Sequence, residues 1–187
     1  MTTFFEQEIR SQGAVLGERE ESGREQAELV AASWREVSYV VAAARGSSDN
    51  AAVFFQYLAG EELGLLVALA TPSLFEGAHT IGLNGAGVIA ISQSGRTPGI
   101  ADVLARATVQ GRPNAAITND RQSPLALAAQ FVIDLAAGPE QANRSAGVAV
   151  MLPNPIRSGA DHVQILVPLP LEMPLRRTAS GHIGNGH

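Results

Sequence analysis

The sequence predicts a three-layer α/β domain built on a doubly wound, five-stranded parallel sheet, followed by an irregular C-terminal tail. Three observations carry that expectation. Short apolar runs recur at Tyr39–Ala44, Leu65–Ala70, Val88–Ser92, Ala115–Thr118 and Phe131–Ala136. Stretches of helical composition separate them at Asp49–Gly60, Pro98–Gln110 and Ser123–Gln130. Two loops rich in Ser and Gly, spanning Arg45–Asn50 and Ser92–Thr97, each follow an apolar run and lead into a helical stretch. Continuous apolar strands alternating with helices imply a parallel sheet covered on both faces.

Taken in order, Glu18–Ser33 is rich in Glu, Arg, Gln and Ala, with Leu16, Ala27, Val30 and Ala31 available to one face, and reads as an amphipathic helix. Strand–loop–helix units begin at Ser38. Gly60 and Gly111 suit helix ends, and Pro98 fits a first helical turn. If the five strands take the flavodoxin-like order, strands one and three are neighbours at the topological switch point, and the two Ser/Gly loops face one crevice. Beyond Glu140 the prolines at 153, 155, 168, 170 and 174 and the Gly/His-rich end break the pattern. There Val163–Leu171 could supply only an edge strand or an extended segment. The expected layout is a helical segment over 1–37, a core domain over 38–140 and an irregular tail over 141–187.

Composition narrows the function. A chain of 187 residues suits one ordinary domain, and 45% hydrophobic with 5% aromatic residues suits an Ala/Val/Leu-rich core. A net charge of −5 argues against a general nucleic-acid binder. Without cysteine there is neither a disulfide framework nor thiolate chemistry. Phe4-Phe5 is followed at once by Glu6, Glu8 and Arg10, unlike a signal peptide, and no apolar run reaches membrane-spanning length. The expectation is a cytoplasmic protein with no membrane or nucleic-acid partner. All 13 basic residues are arginines. Acting alone, such a chain can form neither a Walker-type phosphate loop nor a lysine Schiff base.

The two loops carry the chemistry. At a helix N-terminus the first-turn N–H groups lack partners and the dipole favours negative charge, so a phosphate or similar anion is the natural guest. Ser47 and Ser48 could bind it, or could cap the following helix. In Ser92-Gln93-Ser94-Gly95-Arg96-Thr97, three hydroxyls and an amide gather at a strand end, and Gly95 permits close backbone approach. That many donors favours a ligand over a purely structural turn. Arg45 and Arg96 could each supply charge to an anion or simply be solvated. Gly85-Ala86-Gly87 precedes a strand, whereas a dinucleotide fingerprint follows one, so that reading is refused. His79, His162, His182 and His187 lack spaced partners, and no metal is expected. Glu140, after Gly138-Pro139 and near the same sheet edge, could serve by position as a general base or be an exposed loop carboxylate.

The order Gly46-Ser47-Ser48…Ala51, Ser92-Gln93-Ser94-Gly95-Arg96-Thr97, Ile117-Thr118-Asn119…Ser123-Pro124-Leu125-Ala126 and Ala137-Gly138-Pro139-Glu140 resembles the sugar isomerase (SIS) domain. The nearest resemblance is to the isomerase half of glutamine–fructose-6-phosphate aminotransferase and its stand-alone relatives, and it covers roughly Glu8 to Glu140. Glu8-Ile9…Gln12 is similar to the helix that leads into the first such domain. The resemblance implies a site for a hexose or hexosamine phosphate formed by Gly46, Ser47, Ser48, Ser92, Gln93, Ser94, Gly95 and Thr97. It implies Glu140 as the carboxylate moving a proton between C1 and C2, no cofactor, and a homo-oligomer. Its relatives continue after Gly-x-Glu with an Ala-Thr-Lys-Thr-like helix and a second SIS domain. Here Gln141-Ala142-Asn143-Arg144 follows, so truncation or a frame shift near Glu140 is expected. The alternative to an enzyme is a non-catalytic phosphosugar sensor or regulatory module, or an inactive fragment of a tandem-SIS enzyme.

Overall fold

The computed structural model describes residues 20–77, 81–135, 149–152 and 163–166. The elements run α1 (Glu20–Ser33), β1 (Tyr39–Ala43), α2 (Ser48–Leu63), β2 (Leu66–Leu69), a 3-10 turn (Pro72–Leu74), β3 (Ala86–Ile91), α3 (Ile100–Val109), β4 (Asn114–Thr118), α4 (Pro124–Ala128) and β5 (Phe131–Asp134). Two further strands, β6 (Ala149–Leu152) and β7 (Val163–Leu166), pair antiparallel with each other in a separate sheet. The tail read as irregular therefore contains one regular pair, in which Val163–Leu166 is an edge strand of a two-stranded sheet.

The main sheet has the order β2-β1-β3-β4-β5 and is parallel throughout, as the sequence predicted. Alternation along the strands divides the core into two layers. Val40, Ala42, Ile89, Ile91, Ala115 and Ile117 pack with Val30 of α1 and with Ala51, Ala52, Phe55 and Ala59 of α2. Val41, Ala43, Val88, Ala90 and Ala116 pack with Ile100, Val103, Leu104 and Ala107 of α3 and with Leu125 of α4. Burial on both faces explains why β3 reads as an unbroken apolar run and β4 as Ala115-Ala116-Ile117 between Asn114 and Thr118: every residue of each is buried. The edge strand β2 buries only Val67. Each fully buried Val, Leu, Ile or Phe side chain in these layers contributes about 1.5–3 kcal/mol.

Several boundaries differ from expectation. Gly60 lies inside α2, because Glu61, Glu62 and Leu63 continue the helix to Gly64. Gly64 takes the left-handed conformation (φ 62°) and donates its N–H to the Ala59 carbonyl. Pro98 precedes α3 instead of opening it, since Gly99, at φ 79°, is the N-cap. The last helix starts one residue late because Ser123 is its cap: in an extended conformation, its hydroxyl accepts from Ala126 N–H at 3.2 Å. Pro124 follows in the first turn, where a missing N–H costs nothing.

Gly85 and Gly87 serve packing, in line with the refused dinucleotide reading. Gly85 turns the chain at φ 76°. A Cβ on Gly87 would stand 3.0 Å from the Trp34 ring, so glycine lets the indole lie against β3. No helix among the described residues is long and apolar enough to cross a membrane. No cluster of three or more metal-ligating side chains occurs among them either.

Candidate anion-binding crevice

Parallel pairing aligns Ala43 with Ala90, so β1 and β3 end side by side and their following loops share the carboxyl edge of the sheet. β1 then leads outward to β2, while β3 leads the other way to β4 and β5, which makes this the switch point. The loops also touch. Arg45 Nη1 donates to the Pro98 carbonyl at 3.3 Å, joining the segment after β1 to the one after β3.

The first loop is held lightly. Gly46 adopts φ 64°, and an added Cβ there would meet none of the described residues within 4 Å. Ser47 is the N-cap of α2, but its helical φ and ψ (−65°, −26°) keep its hydroxyl from capping, so the structural alternative for this serine does not hold. Backbone bonds close the turn instead, from Asp49 N–H to Gly46 O (3.1 Å) and from Asn50 N–H to Ser47 O (3.3 Å). The hydroxyls of Ser47, which is exposed, and Ser48, half-buried, make no hydrogen bond with the described residues.

The second loop is clamped. Ser92 is 3% exposed, and its hydroxyl pairs with that of Thr97 at 2.9 Å. The Gln93 carbonyl accepts from Asn119 N–H (2.9 Å) and from the Thr118 hydroxyl (3.1 Å). Gly95 N–H returns to the Ser92 carbonyl at 3.0 Å, and Leu125 N–H donates to the Gly95 carbonyl at 3.1 Å. Gly95 holds φ 62°, where an added Cβ would collide with Ser123 Oγ and press on Thr118 Oγ1. Its closeness therefore serves the protein's own packing. Arg96 bridges to Asp120 at 2.9 Å, and Asp120 is in turn fixed by accepting from Gln122 N–H at 2.8 Å.

The predicted residues thus divide. Ser92, Gly95 and Thr97 brace the loop. Ser94 is exposed and accepts from Arg96 N–H at 3.3 Å, and the half-buried Gln93 keeps its side-chain amide uncommitted among the described residues. The backbone N–H groups of Gln93, Ser94 and Thr97 likewise bond to none of the described residues. Glu140 and His79 lie outside the described residues. Sequence reasoning passed over the clamp residues Thr118, Asp120 and Ser123 as working parts of the site. The Ser-Pro at 123–124 was the available signal, being the pattern of a capping residue followed by a first-turn proline.

Chemically, this edge offers hydroxyls, an amide, backbone N–H groups and a guanidinium. Two carboxylates temper it. Asp49 stands in the first turn of α2, and the Glu76 carboxylate packs against Gly99 at the start of α3. Each occupies part of a helix's positive end.

This is the architecture of an SIS domain, and the SIS family model matches residues 35–153. The chain belongs to the SIS-domain family. A protein assigned as a phosphosugar isomerase from Silicibacter pomeroyi DSS-3 is 36% identical, with a TM-score of 0.68 over 72% of this chain and 42% of that one. The C-terminal domain of glucosamine-fructose-6-phosphate aminotransferase from Francisella tularensis is 17% identical, with a TM-score of 0.61 over 75% of this chain and 41% of that one. The Vibrio vulnificus NanR protein complexed with ManNAc-6P shares the fold at 14% identity, with a TM-score of 0.55 over 67% of this chain and 50% of that one. This chain spans less than half the length of the first two. No curated protein matches it.

Proposed function

We propose that the crevice between the two loops binds a hexose or hexosamine 6-phosphate, and that the chain is related to aldose–ketose isomerases acting on such sugars. The observation that carries this reading is the junction of two Ser/Gly loops on adjacent parallel strands at the switch point, with uncommitted hydroxyls and N–H groups beside it. Family membership and the 36% identical isomerase-assigned protein support it. In this reading Ser47, Ser48, Gln93, Ser94 and the backbone at Gly46 surround the phosphate, while Ser92, Gly95 and Thr97 keep the loop in shape. Glu140 is the base that carries a proton between C1 and C2 through an enediol-like intermediate. No cofactor is needed for that step.

A binding-only module is the second reading, and the absence of lysine from the whole chain favours it. Hydrogen–deuterium exchange at C2 of glucose 6-phosphate or glucosamine 6-phosphate decides between them. Exchange lost in Glu140→Gln supports isomerase chemistry, whereas tight binding without exchange supports a sensor. We also propose a homo-oligomer: Leu66 (72% exposed) and Leu69 on edge strand β2 and Tyr57 on α2 leave apolar surface for a partner copy to cover. A monomer in sedimentation at micromolar concentration overturns that part.

A further inference from the structure

The chain contains no lysine, so any fixed positive charge beside a bound anion must come from arginine, and the structure separates the candidates. Three arginines among the described residues lie in the loops at the carboxyl edge: Arg45 after β1, Arg96 after β3 and Arg121 after β4. Arg96 is neutralised by Asp120 at 2.9 Å, and Arg121 by Asp134 at 2.8 Å. Arg45 differs from both. Among the described residues its one hydrogen bond runs to a neutral carbonyl, that of Pro98, and no carboxylate pairs with it. The guanidinium is exposed, adjoins Gly46-Ser47-Ser48, and reaches the residue that follows Thr97. Among the described residues it therefore crosses the switch point with its charge unmatched by a carboxylate and with four of its N–H donors unused.

We propose that Arg45 is the cationic arm of the crevice, bridging the two loops and donating to the ligand's phosphate in place of the lysine the chain lacks. Guanidinium suits this task, since its planar donors can keep the Pro98 carbonyl with one N–H and meet two phosphate oxygens with others. Because Arg96 and Arg121 are already paired, recruiting either would cost an ion pair that Arg45 does not have to break. The inference deepens the proposed function and rests on the crevice being the anion site.

The test titrates the full chain with inorganic phosphate, fructose 6-phosphate and fructose, comparing wild type with Arg45→Lys, Arg45→Gln, Arg45→Met and Arg121→Met. Melting without ligand serves as the control for folding. The expected result is a loss of phosphate and fructose 6-phosphate affinity of about tenfold or more in both Arg45→Gln and Arg45→Met. Arg45→Lys recovers most of it, and Arg121→Met stays within about threefold of wild type. Wild-type affinity also falls more steeply with added salt than that of Arg45→Gln. Rescue by Gln but not by Lys would mean that Arg45 only ties the loops, and would overturn the proposal. Unchanged affinity in Arg45→Met, or no anion bound by wild type, would overturn it too. Phosphate bound through Arg45 with no preference for the sugar would uphold the arm while removing the phosphosugar reading.

Discussion

The loops after β1 and after β3 have similar composition and sit side by side, yet the protein holds them in opposite ways. The Gly46–Asn50 loop is fixed by its own backbone and by one arginine, with none of the described residues crowding Gly46. The Ser92–Thr97 loop is pressed into a seat made by Thr118, Asn119, Asp120, Ser123 and Leu125, with buried polar groups behind it. The difference assigns labour. One loop is a rigid, preorganised wall whose donors need no reordering when a ligand arrives. The other can adjust, and Arg45 couples its position to that of the wall.

Glycine-to-alanine changes should break this contrast most sharply. Gly95→Ala adds a methyl group where the fully buried Ser123 cannot retreat, on a backbone that also disfavours any Cβ. The expected loss is about 2–4 kcal/mol, or roughly 6–12 °C in melting temperature for a chain of this size. Gly46→Ala carries the conformational penalty alone, about 1 kcal/mol, because its Cβ meets none of the described residues. Equal losses by calorimetry would contradict the division of labour. Next in size is Ser123→Ala, which removes the α4 cap and should cost about 1 kcal/mol in chemical denaturation. It should also weaken phosphosugar binding, since α4 supplies the N–H that holds the Gly95 carbonyl. The smallest effect expected is that of Asp120→Asn. The Arg96 side chain is 64% exposed, so this screened ion pair contributes no more than about 1 kcal/mol, and less at high salt.

How much of this was legible in the sequence follows from the physics of each part. The strands were readable because burial on both faces makes β3 continuously apolar and β4 apolar between Asn114 and Thr118. Sheet order followed from alternation of strand and helix together with loop chemistry, and the two predicted loops do meet at one edge. Helix ends were less legible, since Gly60 and Gly64 are equally plausible stops until the fold decides which adopts positive φ. The clamp was hidden for a related reason. Nothing local to Gly95 tells that Ser123, far along the chain, will sit against it. Nor could composition distinguish Arg45 from Arg96. Only the tertiary position of Asp120 shows which guanidinium is already neutralised.

Thermal stabilisation by fructose 6-phosphate, glucosamine 6-phosphate and glucose 6-phosphate, with inorganic phosphate and the unphosphorylated sugars as controls, tests the central claim most directly. At about one hundred times its dissociation constant, a true ligand should add about 2.7 kcal/mol, which raises the melting temperature by roughly 5–10 °C. The account predicts such a rise with at least one phosphosugar, largely lost in Ser94→Ala and kept in Glu140→Gln. No rise with any phosphosugar would contradict it and leave the two loops as structural turns.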